Sequence, residues 1–364
     1  MDIVHDRSAD LDISKRDVKA CVRTREPGRA RASSTVTTWV AVTSQILALR
    51  EHLITERVTL VVMEATSDCW KPFYYLLEEG PFEVMLVNAR HVKNLPGRKT
   101  DVSDAAWLAQ LGAHGLVRGS FVLPEPIRQL RDLTRMRTTI IRERTREIQR
   151  LEKLIEDAGV KLSSVAPAMH GVSARIMLDA LVAGERDPVV LADIAKVRLR
   201  NKIPELTEAL TGRFSEHHAF LVQIQSDLID QRATAIEEIT ARIGELMEPF
   251  RAARDLISTI SGISTKVADV IIAETNAEMS QFPAAGHLVS RAGVCPGSDE
   301  SAGSVKSTRT RPGNVYLKSA LGIAAMGAAR SHDTYYAAKY RRIASRRGSI
   351  KASVAIEHAM CITV

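Results

Sequence analysis

Four carboxylates, Asp12, Glu64, Asp101 and Asp104, are spaced along the first third of the chain in a way that suits phosphodiester chemistry. Two divalent cations about 3.5 to 4 Å apart can activate an attacking oxygen and stabilise a leaving one. Magnesium takes oxygen ligands, carboxylates above all. Asp101 and Asp104 open the periodic segment DVSDAAWLAQLGAHG, and a separation of three puts both on one face of a helix's first turn. A single acid at a helix start is also an ordinary favourable placement, so the cluster carries the expectation and no one member does.

The elements that must position these acids follow from side-chain periodicity. Asp12 ends a short extended run, DLDIS, and the alternating DVKACVRT after it predicts a hairpin at the edge of a sheet. Glu64 closes TLVVME, a β-branched apolar run suited to a strand covered on both faces, and the helix-like WKPFYYLLEEG comes next. EVMLVN supplies a further buried strand. The predicted order is strand, strand, helix, strand, helix, strand, helix, with acids at the first strand, at a central strand's end and on the last helix.

At 364 residues with 45% apolar side chains, the chain is long enough for two or three domains with real cores. Its formal charge is +7, but residues 291–364 hold twelve Lys or Arg against four acids, so the basic surplus lies in the C-terminal fifth. Phosphate binding requires such a concentration. Cys21, Cys69, Cys295 and Cys361 form no C-x-x-C pair and are expected as reduced structural thiols. No apolar run approaches the length of about 20 residues that spans a bilayer, and no leader opens the chain. The expected location is cytoplasmic and nucleoid-associated, with no membrane partner.

From Ile127 to Ile155 apolar residues recur at mixed spacings of three and four, while Arg128, Arg131, Arg135, Arg142, Arg146 and Arg150 fill the intervening faces. A second such stretch runs from about His217 to Met247. Two long coiled-coil-like helices follow, able to pair within the chain or with another subunit. Pro167, Gly171, Gly184 and Pro188 break the segment between them into loops and short helices. LISTISGISTKVADVIIAETN reads as two helices about a tight turn, of the helix-hairpin-helix kind that aims backbone N–H groups at phosphate, or as a plain packing unit. A Gly- and Ser-rich basic loop then carries Ser301 within ESAG, with Lys306, Arg309, Arg311 and Lys318 after it. A serine hydroxyl becomes a nucleophile toward phosphorus where its proton is accepted and cations neutralise the phosphate. Chemistry alone does not choose Ser301 over its neighbours.

LDISK, VVMEATSDCWKPFYYLLEEG, LVNARHVKNLPGRKTDVSDAAWLAQL, RQLRDLTRMRT, FPAAGHLVSRAGVCPGSDESAG and YRRIASRRG together resemble the insertion-sequence one-ten family of transposases, the DEDD transposases. KTDVSDA with a downstream PGSDESAG in one polypeptide is the most specific part. The chain departs from the family pattern at Ser67, Ser304 and Val305.

The resemblance implies an α/β plus α organisation: a RuvC-like, ribonuclease-H-like DEDD domain over 1–120, a helical coiled-coil region over 121–254, and a mostly helical transposase domain over 255–364. It implies that Asp12, Glu64, Asp101 and Asp104 hold magnesium in a two-metal site and that Ser301 joins covalently to a DNA end. The implied partners are donor and target DNA, a structured noncoding bridge RNA that guides the reaction, and further copies of the chain, from dimer to tetramer, whose subunits share active sites. Candidate nucleic-acid contacts are Lys99, Arg128, Arg131, Arg135, Lys306, Arg309, Arg311 and Lys318. The alternatives are a RuvC-like nuclease that hydrolyses without serine chemistry, and an inactive nucleic-acid-binding relative.

Overall fold

The computed structural model describes residues 4–25, 32–65, 67–88, 111–116, 119–169, 171–297, 299–301, 303–307 and 309–364. Lys99, Asp101 and Asp104 lie outside the described residues, as does the side chain of Lys306. The chain divides into two compact units, Met1–Val122 and Leu123–Val364.

The first unit is built on a five-stranded sheet. Its elements are β1 (Arg7–Ile13), β2 (Asp17–Thr24), β3 (Ser33–Val40), α1 (Thr43–Thr55), β4 (Leu60–Glu64), α2 (Trp70–Leu77) and β5 (Glu83–Val87). The strand order is β3-β2-β1-β4-β5, antiparallel across β3, β2 and β1 and parallel from β1 through β4 to β5. Ala9, Leu11, Val61 and Met63 point to one face, where Leu49 and Leu53 of α1 and Phe73 and Leu77 of α2 cover them. Leu60 and Val62 point to the other, against Val87 and Leu111. Cover on both faces is the reason β4 reads as an unbroken apolar run.

The predicted strand order lacked β3. Its sequence, SSTVTTWV, is largely exposed along one edge of the sheet, so it carries little of the apolar alternation that marks a half-buried strand.

The second unit is almost entirely helical. α3 (Glu125–Asp157) starts at Pro124 with Pro126 in its first turn, where a missing N–H costs nothing. It packs antiparallel on α8 (Glu216–Leu246), so the two long predicted helices pair within the chain: Ile127 and Ile243 share one core, Ile155 and Val222 another. The connection between them folds as α4 (Leu162–Val165), α5 (Val172–Val182), α6 (Pro188–Asp193) and α7 (Ile203–Leu210) over the second core.

Beyond α8 come α9 (Arg251–Ser258), α10 (Thr265–Thr275), α11 (Ala285–Ala292), β6 (Asp299–Ser301), β7 (Ser304–Ser307), α12 (Val315–Arg330), α13 (Tyr335–Arg347) and α14 (Ser349–Thr363). Ile271, Ile272, Leu317, Leu321, Ile356 and Met360 join Ile127 and Leu130 of α3 in the first core. The turn between α9 and α10 holds Gly262 at φ +94°, and a Cβ there would lie 2.4 Å from the Ala324 carbonyl oxygen. Only glycine lets this turn lie so close to α12. A mixed α/β N-terminal region is thus followed by a mostly helical remainder. Among the described residues no helix is long and apolar enough to cross a membrane.

Candidate active site

The parallel register pairs Asp10 with Val62 and Leu11 with Met63, and one further step sets Asp12 beside Glu64. Residues in register on adjacent strands share a face of the sheet. Both carboxylates therefore stand at the same ends of neighbouring strands and on the same face, Asp12 exposed and Glu64 half-buried. Lys19 of β2 lies directly opposite Asp12. Gly112, eight residues after Asp104, packs onto this face: a Cβ on it would come 2.8 Å from Val62 and 3.2 Å from Leu60. Asp12 and Glu64 are hard oxygen donors of the type magnesium takes, which fits the implied metal. Among the described residues no three His, Cys, Asp or Glu side chains gather as a ligand set.

Two positions inward from Asp12 on the same strand face is Asp10, wholly buried and opposite Cys21. Burial and then the Asp10 charge push the Cys21 thiol up. Asp10 is not among the acids that the motif spacing singles out, although alternation along DLDIS puts it on the acid-bearing face.

Ser301 is exposed on the short ribbon of β6 and β7, paired with Ser304 across a turn in which Gly303 takes φ +76°. The base of the ribbon is closed by several independent contacts. Pro296 bridges to Thr310, and the Gly297 N–H donates to the Arg309 carbonyl at 3.0 Å. Lys318 donates to the Gly293 carbonyl and to Thr310 Oγ1, each at 3.1 Å. Gly293 and Gly313 meet backbone to backbone, so that a Cβ on Gly313 would fall 2.3 Å from the Gly293 nitrogen. Arg309 and Arg311 are exposed beside this base. Lys318, by contrast, spends two of its donors inside the protein.

A buried carboxylate joins this base to the long helix. Glu274, fully buried at the end of α10, accepts from Arg135 Nε at 2.8 Å and Nη2 at 3.0 Å and pairs with Arg131 Nε at 3.3 Å. It also accepts from Asn314 Nδ2 at 2.6 Å. The Asn314 side chain caps α12 by accepting from the Tyr316 and Leu317 N–H groups, and its own N–H donates to the Arg291 carbonyl. Burial pushes Glu274 up, but the Arg135 hydrogen bonds, the charges of Arg131 and Arg135 and the Asn314 amide outweigh it and hold the carboxyl below its usual range.

A second buried acid, Asp269, pairs with Arg137 of α3 and Arg254 of α9. Arg128 donates to the Leu123 carbonyl. The N-terminal half of the arginine series thus ties α3 to its own unit, whereas Arg142 and Arg146 are exposed. Glu274 was legible in one respect: it is a lone acid closing the apolar run VIIAE, and buried charges require partners.

The DEDD family of IS110 type, described as Transposase, matches residues 9–159, the stretch that holds the β1 and β4 acids and all of α3. The Transposase IS116/IS110/IS902 family matches residues 254–341, which hold the Ser301 ribbon and its clamp. No curated protein matches the chain. Two family matches in the right order, spanning more than half of the sequence, agree with the acid-bearing sheet and with the helical C-terminal part: the chain belongs to the IS110 family of transposases.

Proposed function

We propose that this transposase is an RNA-guided DNA recombinase in which Asp12, Glu64, Asp101 and Asp104 hold divalent magnesium and Ser301 is the nucleophile toward DNA. The reading is carried by the Ser301 hydroxyl, exposed at the tip of a ribbon whose base is rigidly closed and flanked by exposed Arg309 and Arg311. The sheet order β3-β2-β1-β4-β5 supports a RuvC-like assignment for the N-terminal unit. The α9–α10 pair supports a helix-hairpin-helix-like element that touches phosphate from the side of the turn away from α12.

Bound magnesium would supply Lewis-acid stabilisation of charge on phosphate oxygens. The remaining steps belong to side chains. Arg309, Arg311 and Lys306 draw the phosphodiester to the ribbon and offset charge on its oxygens. Ser301 Oγ bonds to phosphorus as its proton leaves to a base, the P–O bond to the departing deoxyribose oxygen breaks, and that oxygen takes up a proton. The phosphoserine ester keeps the energy of the broken bond, so an incoming DNA hydroxyl can displace Ser301 and reseal the strand. A structured RNA from the element selects donor and target by base pairing, and the chain acts as a homo-oligomer of two to four copies.

The test is strand exchange between donor and target DNA by the full chain with guide RNA and magnesium. Asp12→Asn and Ser301→Ala should each abolish exchange while leaving DNA binding within about twofold, since phosphate cations dominate affinity. Exchange at the wild-type rate in either variant would contradict the assignment.

A further inference from the structure

A cavity of about 720 Å³ opens behind the serine ribbon, between its base and the last two helices. Val294 and Pro296 lie on the ribbon side with Ser307, Arg309 and Thr310; Val354 and Ala355 of α14 lie opposite. Lys339 of α13, with Lys351 and His358 of α14, brings three more nitrogen donors to the same wall. Ile350, 81% exposed, stands at its edge. None of this cluster enters the ligand set or the nucleophile described above.

The volume falls in the range of about 300 to 1,000 Å³ typical of small-ligand sites, large enough for one nucleotide and too confined for a duplex groove. Its chemistry is divided in the same way as a nucleotide. The apolar surface of Pro296, Val354 and Ala355 offers a planar base a face to lie on. Arg309, Lys339 and Lys351 offer charge to a phosphodiester, and among the described residues no carboxylate lines the wall. Single-strand sites combine these two features, a cationic track beside a surface that accepts bases without reading them.

We propose that this cavity is a subsite for one unstacked nucleotide of the DNA strand that Ser301 acts on. DNA is favoured over RNA because Ser307 and Arg309, which line the cavity, belong to the ribbon that carries Ser301 and to its return. Holding a base here fixes the strand on either side of it and brings the neighbouring phosphate to the ribbon in one register. The identification of the strand rests on the proposed function; the existence of the nucleotide site does not.

The test uses the full chain and a fluorescently labelled five-nucleotide single-stranded DNA at fixed moderate salt. Val354→Asp sets a carboxylate against the apolar surface that a base would cover and should weaken binding at least tenfold. Lys351→Glu, at an exposed side chain that threatens folding less, should do the same. Thermal melting of each variant near the wild-type midpoint separates loss of the site from loss of the fold. Binding unchanged in Lys351→Glu, or a loop-closed DNA hairpin that binds as tightly as the single strand, would overturn the proposal. An RNA of the same sequence bound more tightly than the DNA would overturn the assignment to the DNA strand. Because binding is read without cleavage, a chain with no Ser301 chemistry would still give these differences, so failure of the catalytic reading and failure of the cavity are distinguishable.

Discussion

The Asn314 amide donates to buried Glu274 at 2.6 Å while the Asn314 carbonyl oxygen caps the helix that follows the serine ribbon. One side chain thereby connects the arginines of α3 to the segment that ends the ribbon. The ribbon itself is only seven strand residues long and cannot fix its own direction. Its aim is inherited from this contact and from the glycine crossing beside it.

Glu274→Ala should therefore cost about 3 kcal/mol of stability, the low end for breaking a buried pair, because the Arg135 side chain is 36% exposed and can recover some hydration. Glu274→Gln keeps the shape and the acceptor oxygen but removes the buried counter-charge of Arg131 and Arg135, leaving them the Asp132 carboxylate, and should cost less. Urea denaturation of both variants measures the difference. Equal stability of wild type and Glu274→Ala would show that this carboxylate does not hold α3 to the base of the ribbon.

The same carboxylate gives the unit an acid-sensitive component. Its folded pKa lies below its unfolded value of about 4.3, so its stabilisation is fully present above that pH and is lost as pH falls through the lower folded value. Denaturation midpoints measured from pH 7 down to pH 3 should decline more steeply in wild type than in Glu274→Gln at the acid end. Parallel curves would contradict the sign of this contribution.

Gly313→Ala places a methyl group into the Gly293 backbone, where neither partner has a flexible end to yield. Overpacking of this kind costs about 1 to 3 kcal/mol. Strand exchange should fall further than stability does, since the crossing sets the base of the ribbon. Differential scanning calorimetry beside an exchange assay tests this; an active variant of wild-type stability would show that the crossing is slack.

At the acidic face, Asp12→Asn removes one oxygen charge beside Glu64 with little change in volume. Even partners that only support a metal ligand cost about 10- to 100-fold when removed, so loss of a ligand itself should lower magnesium-dependent cleavage by at least about 100-fold. Lys19→Ala, across the strand from Asp12, should leave magnesium dependence in place. Titration of cleavage against magnesium for both variants distinguishes a metal ligand from a general loss of charge.

The sheet and the long helices were legible because their apolar periods are strong, from TLVVME in β4 to the spacing of Ile127, Leu130 and Leu151 in α3. The placement of Asp12 and Glu64 near strand ends could be read from the sequence, but their common face required the register. The role of Arg131 and Arg135 was not legible. A cationic helix face looks the same in sequence whether its partner is a phosphate or Glu274, more than a hundred residues away. Likewise Gly293 and Gly313 read as loop residues until the two backbones are seen to touch.

Covalent attachment of DNA to Ser301 can be read on the adduct itself. Wild type and alanine variants at Ser301, Ser304 and Ser307 are incubated with labelled element-junction DNA, guide RNA and magnesium, then denatured, digested and sequenced by mass spectrometry. A nucleotide phosphate should be found on Ser301 in wild type and in Ser304→Ala and Ser307→Ala, with no protein-linked label in Ser301→Ala. A label that persists in Ser301→Ala, or magnesium-dependent cleavage by wild type with no attached nucleotide, would contradict it.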